Sequence, residues 1–148
     1  MNRLIALLVC TAALSACGPE SGVGFRLPDG NPDRGREAYV RLQCNSCHVI
    51  EGLDLPFQGS GAASVTLGGQ TVKVKTYGEL VTSIINPSHK LARGYEPSEV
   101  VADGQSLMSI AYLNDVMTVR QLIDLVAFLQ AQYEVVPPPV EPYWYIYP

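Results

Sequence analysis

Residues 44–48 read CNSCH, two thiols three positions apart with an imidazole directly behind the second. Thiol and imidazole groups bind zinc, two thiols alone can form a disulfide, and this trio in this order can also take a haem. A structural zinc site asks for about four Cys or His ligands. Cys44, Cys47, His48 and the remote His89 would have to supply them, and the adjacency of Cys47 and His48 strains a tetrahedral arrangement. A redox dithiol belongs to a strand–helix–strand setting that the flanking residues do not offer. A disulfide uses the thiols and leaves His48 idle. Covalent attachment of a haem uses all three residues, because a tight turn presents both sulfurs to the two vinyl groups of one porphyrin edge and carries His48 under the ring to the iron.

Such a cluster needs elements to hold it, and the pattern on either side predicts them. A helix capped by Asn31 or Asp33, with Ala38, Tyr39 and Leu42 as its apolar stripe, runs into Cys44. Residues 50–62 read as loop. In SVTLGGQTVKVK, Val65 and Leu67 alternate before Gly68-Gly69 and Val72 and Val74 alternate after it, which predicts a short β-hairpin. A helix follows over 76–86, with Thr76 and Glu79 at capping-box spacing and Pro87 as its stop. Residues 88–115 read as one long loop, a length that usually has a functional reason. The last helix starts at the Thr118 to Gln121 capping box and runs to about Tyr133, with Leu122, Leu125, Val126, Phe128 and Leu129 on its apolar face.

The two ends differ from this middle. Residues 1–16 carry one Arg and then an apolar run from Leu4 to Leu14, the build of a secretory signal peptide and too short for a good membrane span. They end in Leu14-Ser15-Ala16-Cys17, which resembles the lipobox of bacterial lipoproteins. That resemblance implies that Cys17 is acylated and becomes the first mature residue, and that residues 17–31 are the lipid anchor and tether. Residues 134–148, rich in proline and aromatic residues, read as an extended tail. Without residues 1–16 the chain has 9 Lys and Arg against 14 Asp and Glu, a formal charge of −5. So acidic a chain has no general electrostatic grip on nucleic acid or anionic lipid.

With CNSCH on the page, Gly35 and Tyr39 on the first helix and Leu125 and Phe128 on the last make the chain similar to the class I c-type cytochromes. The hairpin, Asn86-Pro87 and Gly94-Tyr95 resemble more specifically the cytochrome c domain of subunit II of haem–copper oxidases, whose copper-binding domain is absent. The resemblance covers residues 32–133. It implies an all-α fold, three to four helices around one covalent haem c with a short β-hairpin insertion. It also implies covalent attachment at Cys44 and Cys47, iron ligation by His48 and Met108, and roles around the haem for Pro56, Asn86 and Tyr95. Pro56 stands where the family has a proline whose carbonyl holds the ligand histidine; the family's glycine before it is Leu55 here, and the proline usual after the methionine is Ser109. Met108 lies in the long loop with no core period to explain it, whereas Met117 precedes the Thr118 cap and His89 follows Pro87, which makes them the alternative ligands.

The expectation is a lipid-anchored periplasmic electron carrier with no substrate chemistry of its own, not an enzyme. Its partners would be redox proteins, with a terminal oxidase or other membrane complex among them, and not nucleic acid. Gly18 after the lipid cysteine points to the outer membrane rather than the inner one. Two other readings compete: a haem-based sensor or enzyme with an open sixth site, and a detached oxidase-type subunit or adaptor that docks through the tail.

Overall fold

The computed structural model describes residues 27–59, 64–73 and 75–138. The signal segment, Cys17, most of the tether and the end of the tail lie outside the described residues. In chain order the elements are α1 (Pro32–Arg41), a 3-10 turn (Cys44–Ser46), β1 (His48–Ile50), β2 (Val65–Leu67) and β3 (Gly69–Thr71). These are followed by α2 (Tyr77–Ile85), a second 3-10 turn (Pro87–His89), α3 (Pro97–Val100), β4 (Val101–Ala102) and β5 (Gln105–Ser106). α4 (Ala111–Val116), α5 (Val119–Gln130) and β6 (Tyr133–Val135) complete the chain.

The all-α expectation is overturned. The described residues form a mixed α/β arrangement of five short helices and six strands in three two-stranded sheets, and not the cytochrome c fold. The predicted hairpin is also absent. β2 pairs in parallel with β1, β3 pairs in parallel with β6, and neither pairs with the other. Gly68 and Gly69 do take the left-handed backbone a tight turn would use, at φ of 85° and 77°. Here Gly68 serves close approach instead, because a Cβ on it would press on Gln132.

The helices form for the reasons the sequence offers. Asn31 caps α1 by accepting from the Arg34 amide at 2.9 Å, and Pro32 fills its first position. Thr118 and Gln121 close both bonds of their capping box, at 3.1 and 2.8 Å. At α2 only one bond of the box forms: Thr76 accepts from the Glu79 amide at 3.2 Å, while the Glu79 carboxylate takes Lys90 at 2.8 Å and Lys75 at 3.5 Å.

The core is the contact of α1 with α5, with α2 laid alongside. Tyr39, Leu125, Val126, Phe128 and Leu129 are buried there with Leu80 and Ile84 of α2 and Ile50 of β1. The close approach falls at Gly35, where any Cβ would run into the Asp124 carbonyl and the Phe128 Cβ. A second tie crosses the same contact. Asp124, 2% exposed, accepts from Arg34 Nε at 2.8 Å, from Arg34 Nη2 at 3.1 Å and from the Asn31 amide at 2.7 Å. These donors hold its carboxyl below its ordinary range, the Arg34 bond foremost.

The expected loop over 88–115 is a series of short elements. Glu96 and Glu99 form a capping box at α3, and Asp103-Gly104, both at positive φ, turn β4 back onto β5. Among the described residues no helix is long and apolar enough to cross a membrane.

Candidate haem site

α1 hands the chain to CNSCH through one unusual residue. Leu42 ends the helix, and Gln43 then takes the left-handed conformation at φ 59°, where glycine or asparagine is the common choice. The turn it starts is closed by the Cys47 amide donating to the Cys44 carbonyl at 3.2 Å. Inside that turn Asn45 is 1% exposed, and its Nδ2 donates to the Pro56 carbonyl at 2.6 Å, which ties the turn to the following loop. Cys44 and Cys47 are both free thiols. Cys44 is half-buried and Cys47 exposed. Burial pushes the Cys44 thiol up to about 11, so it stays protonated at neutral pH.

His48 opens β1 and is gripped by β2. Its Nδ1 lies 3.2 Å from the Val65 carbonyl, and the Val65 amide donates to the Cys47 carbonyl at 2.9 Å. A carbonyl can only accept, so Nδ1 carries the hydrogen and Nε2 keeps its lone pair for a ligand. Burial also lowers the pKa of the ring, which favours the neutral form a metal requires. The acceptor was expected to be Pro56. The Pro56 carbonyl serves Asn45 instead, and parallel pairing of His48 with Val65 brings the β2 carbonyl to the ring.

Beside this ring lies an apolar cavity, about 610 Å³ of unfilled space counting its open mouth. Cys44, His48, Met108 and Met117 all line it, between Leu67, Leu80 and Ile84 on one part of the wall and Leu125, Leu129 and Tyr133 on another. The structure therefore brings together one thiol, the imidazole and two thioethers from segments far apart in sequence. Cys47 is not among the lining residues.

The other expected positions lie elsewhere. Asn86 is exposed at the end of α2, and its carbonyl accepts from the His89 amide at 3.1 Å and stands 2.7 Å from His89 Nδ1. His89 is thereby occupied locally and away from the cavity wall. The Tyr95 hydroxyl accepts from the Thr66 amide at 3.0 Å, which makes it a support for the outer edge of β2 rather than a lining residue. Among the described residues no three His, Cys, Asp or Glu side chains gather as a metal-binding group.

Sequence reasoning missed Val65 as part of this site and held Met117 only as an alternative ligand. A backbone acceptor leaves no mark on residue type. Met117 both packs against the core and lines the cavity. No protein-family model, curated protein or solved structure matches the chain.

Proposed function

We propose that the protein is a lipid-anchored electron carrier on the periplasmic side of a bacterial membrane, holding one haem c. The observation that carries this is the cavity. CNSCH stands at an apolar hollow whose wall also presents Met108, and His48 is fixed there with one ring nitrogen bonded and the other left for a ligand. Apart from Ser83 and the Tyr39 and Tyr133 hydroxyls, its lining residues are apolar, sulfur-bearing or imidazole, a donor set that suits a porphyrin and its iron.

Cys44 and Cys47 would hold the haem covalently, and His48 and Met108 would ligate its iron. When bound, the haem would supply a one-electron couple, at a potential raised by Met/His ligation. The chain's own work is then to exclude water from the cavity with Leu80, Ile84, Leu125 and Leu129, and to hold the His48 ring still. No bond in a substrate is made or broken. Anchorage through Cys17, supported by the LSAC sequence, keeps the domain near redox partners on the membrane, a terminal oxidase or similar complex among them.

The test is the visible spectrum of full-length, air-oxidised protein made in a host that attaches haem. The expected result is a haem spectrum with the weak long-wavelength band of methionine on ferric iron, lost in Met108→Ala and kept in Met117→Ala, with no carbon monoxide binding by the reduced parent. Rapid carbon monoxide binding by the parent would instead favour an open sixth site and a sensor or enzyme.

A further inference from the structure

The Tyr39 hydroxyl donates to the His48 carbonyl oxygen at 2.7 Å. Tyr39 is 1% exposed on α1, and its ring packs on Phe128 of α5 with centroids 5.7 Å apart at 59°. Packing at this position asks only for an aromatic ring, and phenylalanine would supply one. The hydroxyl is what packing leaves unexplained.

That hydroxyl ties the His48 backbone to the buried contact of α1 with α5. The side chain of His48 is tied separately, through Nδ1 to Val65, and β2 is itself held at its outer edge by Tyr95. We propose that Tyr39 is a positioning residue for His48, its hydroxyl fixing the His48 carbonyl and with it the direction in which the imidazole leaves the backbone. Nδ1 then stays on Val65, and Nε2 keeps a constant aim. This rests on the reading of His48 as an iron ligand. Held by a carbonyl, the Nδ1 hydrogen makes the ring a more basic ligand, which favours the oxidised iron.

The experiment compares Tyr39→Phe with Tyr77→Phe in the full chain from a haem-attaching host. The Tyr77 hydroxyl is buried with no hydrogen-bond partner, so its loss controls for removing a buried hydroxyl as such. Two quantities are read: solvent exchange of the His48 Nδ1 hydrogen by nitrogen-15 NMR, and the midpoint potential. In Tyr39→Phe the hydrogen should exchange about fivefold faster or more, the energy of one hydrogen bond expressed as a rate, and the potential should rise. Tyr77→Phe should change neither. Folded Tyr39→Phe protein with both quantities at parental values would overturn the proposal. If that variant does not fold, 3-fluorotyrosine at position 39, a stronger donor of the same shape, should slow the exchange, and no change would again overturn it. A parent that carries no haem removes the functional reading alone, since the ring-hydrogen exchange still decides on Tyr39.

Discussion

Two regions face each other across the cavity and are held by different means. The α1–α5 pair contributes Tyr39, Leu125 and Leu129 to the wall, and the segment from Pro87 to Met117 contributes Met108, Leu113 and Met117. The pair is locked by close approach at Gly35, by the buried Asp124 with its three donors and by six buried residues of α5. In the segment only Val100 is buried; beside local bonds, such as the Ser106 amide on Ser88 Oγ at 3.1 Å and the Leu107 amide on the Val100 carbonyl at 2.9 Å, its side-chain ties to the rest are the exposed contacts of Tyr95 with the Thr66 amide and of Lys90 with Glu79. Leu107, Tyr112 and Val116 are exposed. Few buried apolar contacts mean a low free energy of local opening. The α1–α5 wall, to which Tyr39 ties the His48 backbone, is therefore fixed, and the wall that holds Met108 can adjust.

The contrast breaks most readily at Gly35. Gly35→Val forces a branched side chain into the Asp124 carbonyl and should cost about 3 kcal/mol or prevent folding, read by urea denaturation. Asp124→Asn should act mainly through pH. In the parent the folded carboxyl titrates below its ordinary value of 3.8, so the unfolded chain takes up the proton first. Stability from this group is complete above that value and is lost as pH falls below it. Melting curves from neutral pH downward should show a shallower acid decline in Asp124→Asn, from a lower starting stability. Thr118→Ala removes the acceptor for the Gln121 amide and should cost about 1 kcal/mol in the same denaturation assay. Across the cavity, Tyr112→Gln on α4 should change stability by no more than about 0.5 kcal/mol, since Tyr112 is 68% exposed. An effect at Tyr112 as large as that at Thr118 would show that the segment is locked as firmly as the pair.

The same contrast explains what could be read from sequence. The helices of the pair announce themselves by caps and apolar spacing, and the crossing by Gly35 opposite Phe128. CNSCH was plain, and so was Met108 as a residue without a packing role. The strand pairings were not, since β2 and β3 take partners from residues 48–50 and 133–135, and local alternation carries no information about distant partners. The Gly68-Gly69 pair misled because glycine serves turns and close approaches alike. Asp124 did leave a signal, one acid inside the continuous apolar run from Leu122 to Leu129. The segment from Pro87 to Met117 carried its signals too, in Glu96 with Glu99 and in Asp103-Gly104, but elements of two to six residues fall below the length at which periodicity can be recognised.

The most direct test of the central claim is whether haem stays with the polypeptide. Full-length protein from a haem-attaching host is unfolded and extracted with acidified acetone, and the chain is then assayed as its pyridine haemochrome. The account predicts stoichiometric haem on the extracted chain and none on Cys44→Ala/Cys47→Ala. A parent chain that emerges without haem, or that gives all of it up to the solvent, would contradict the account.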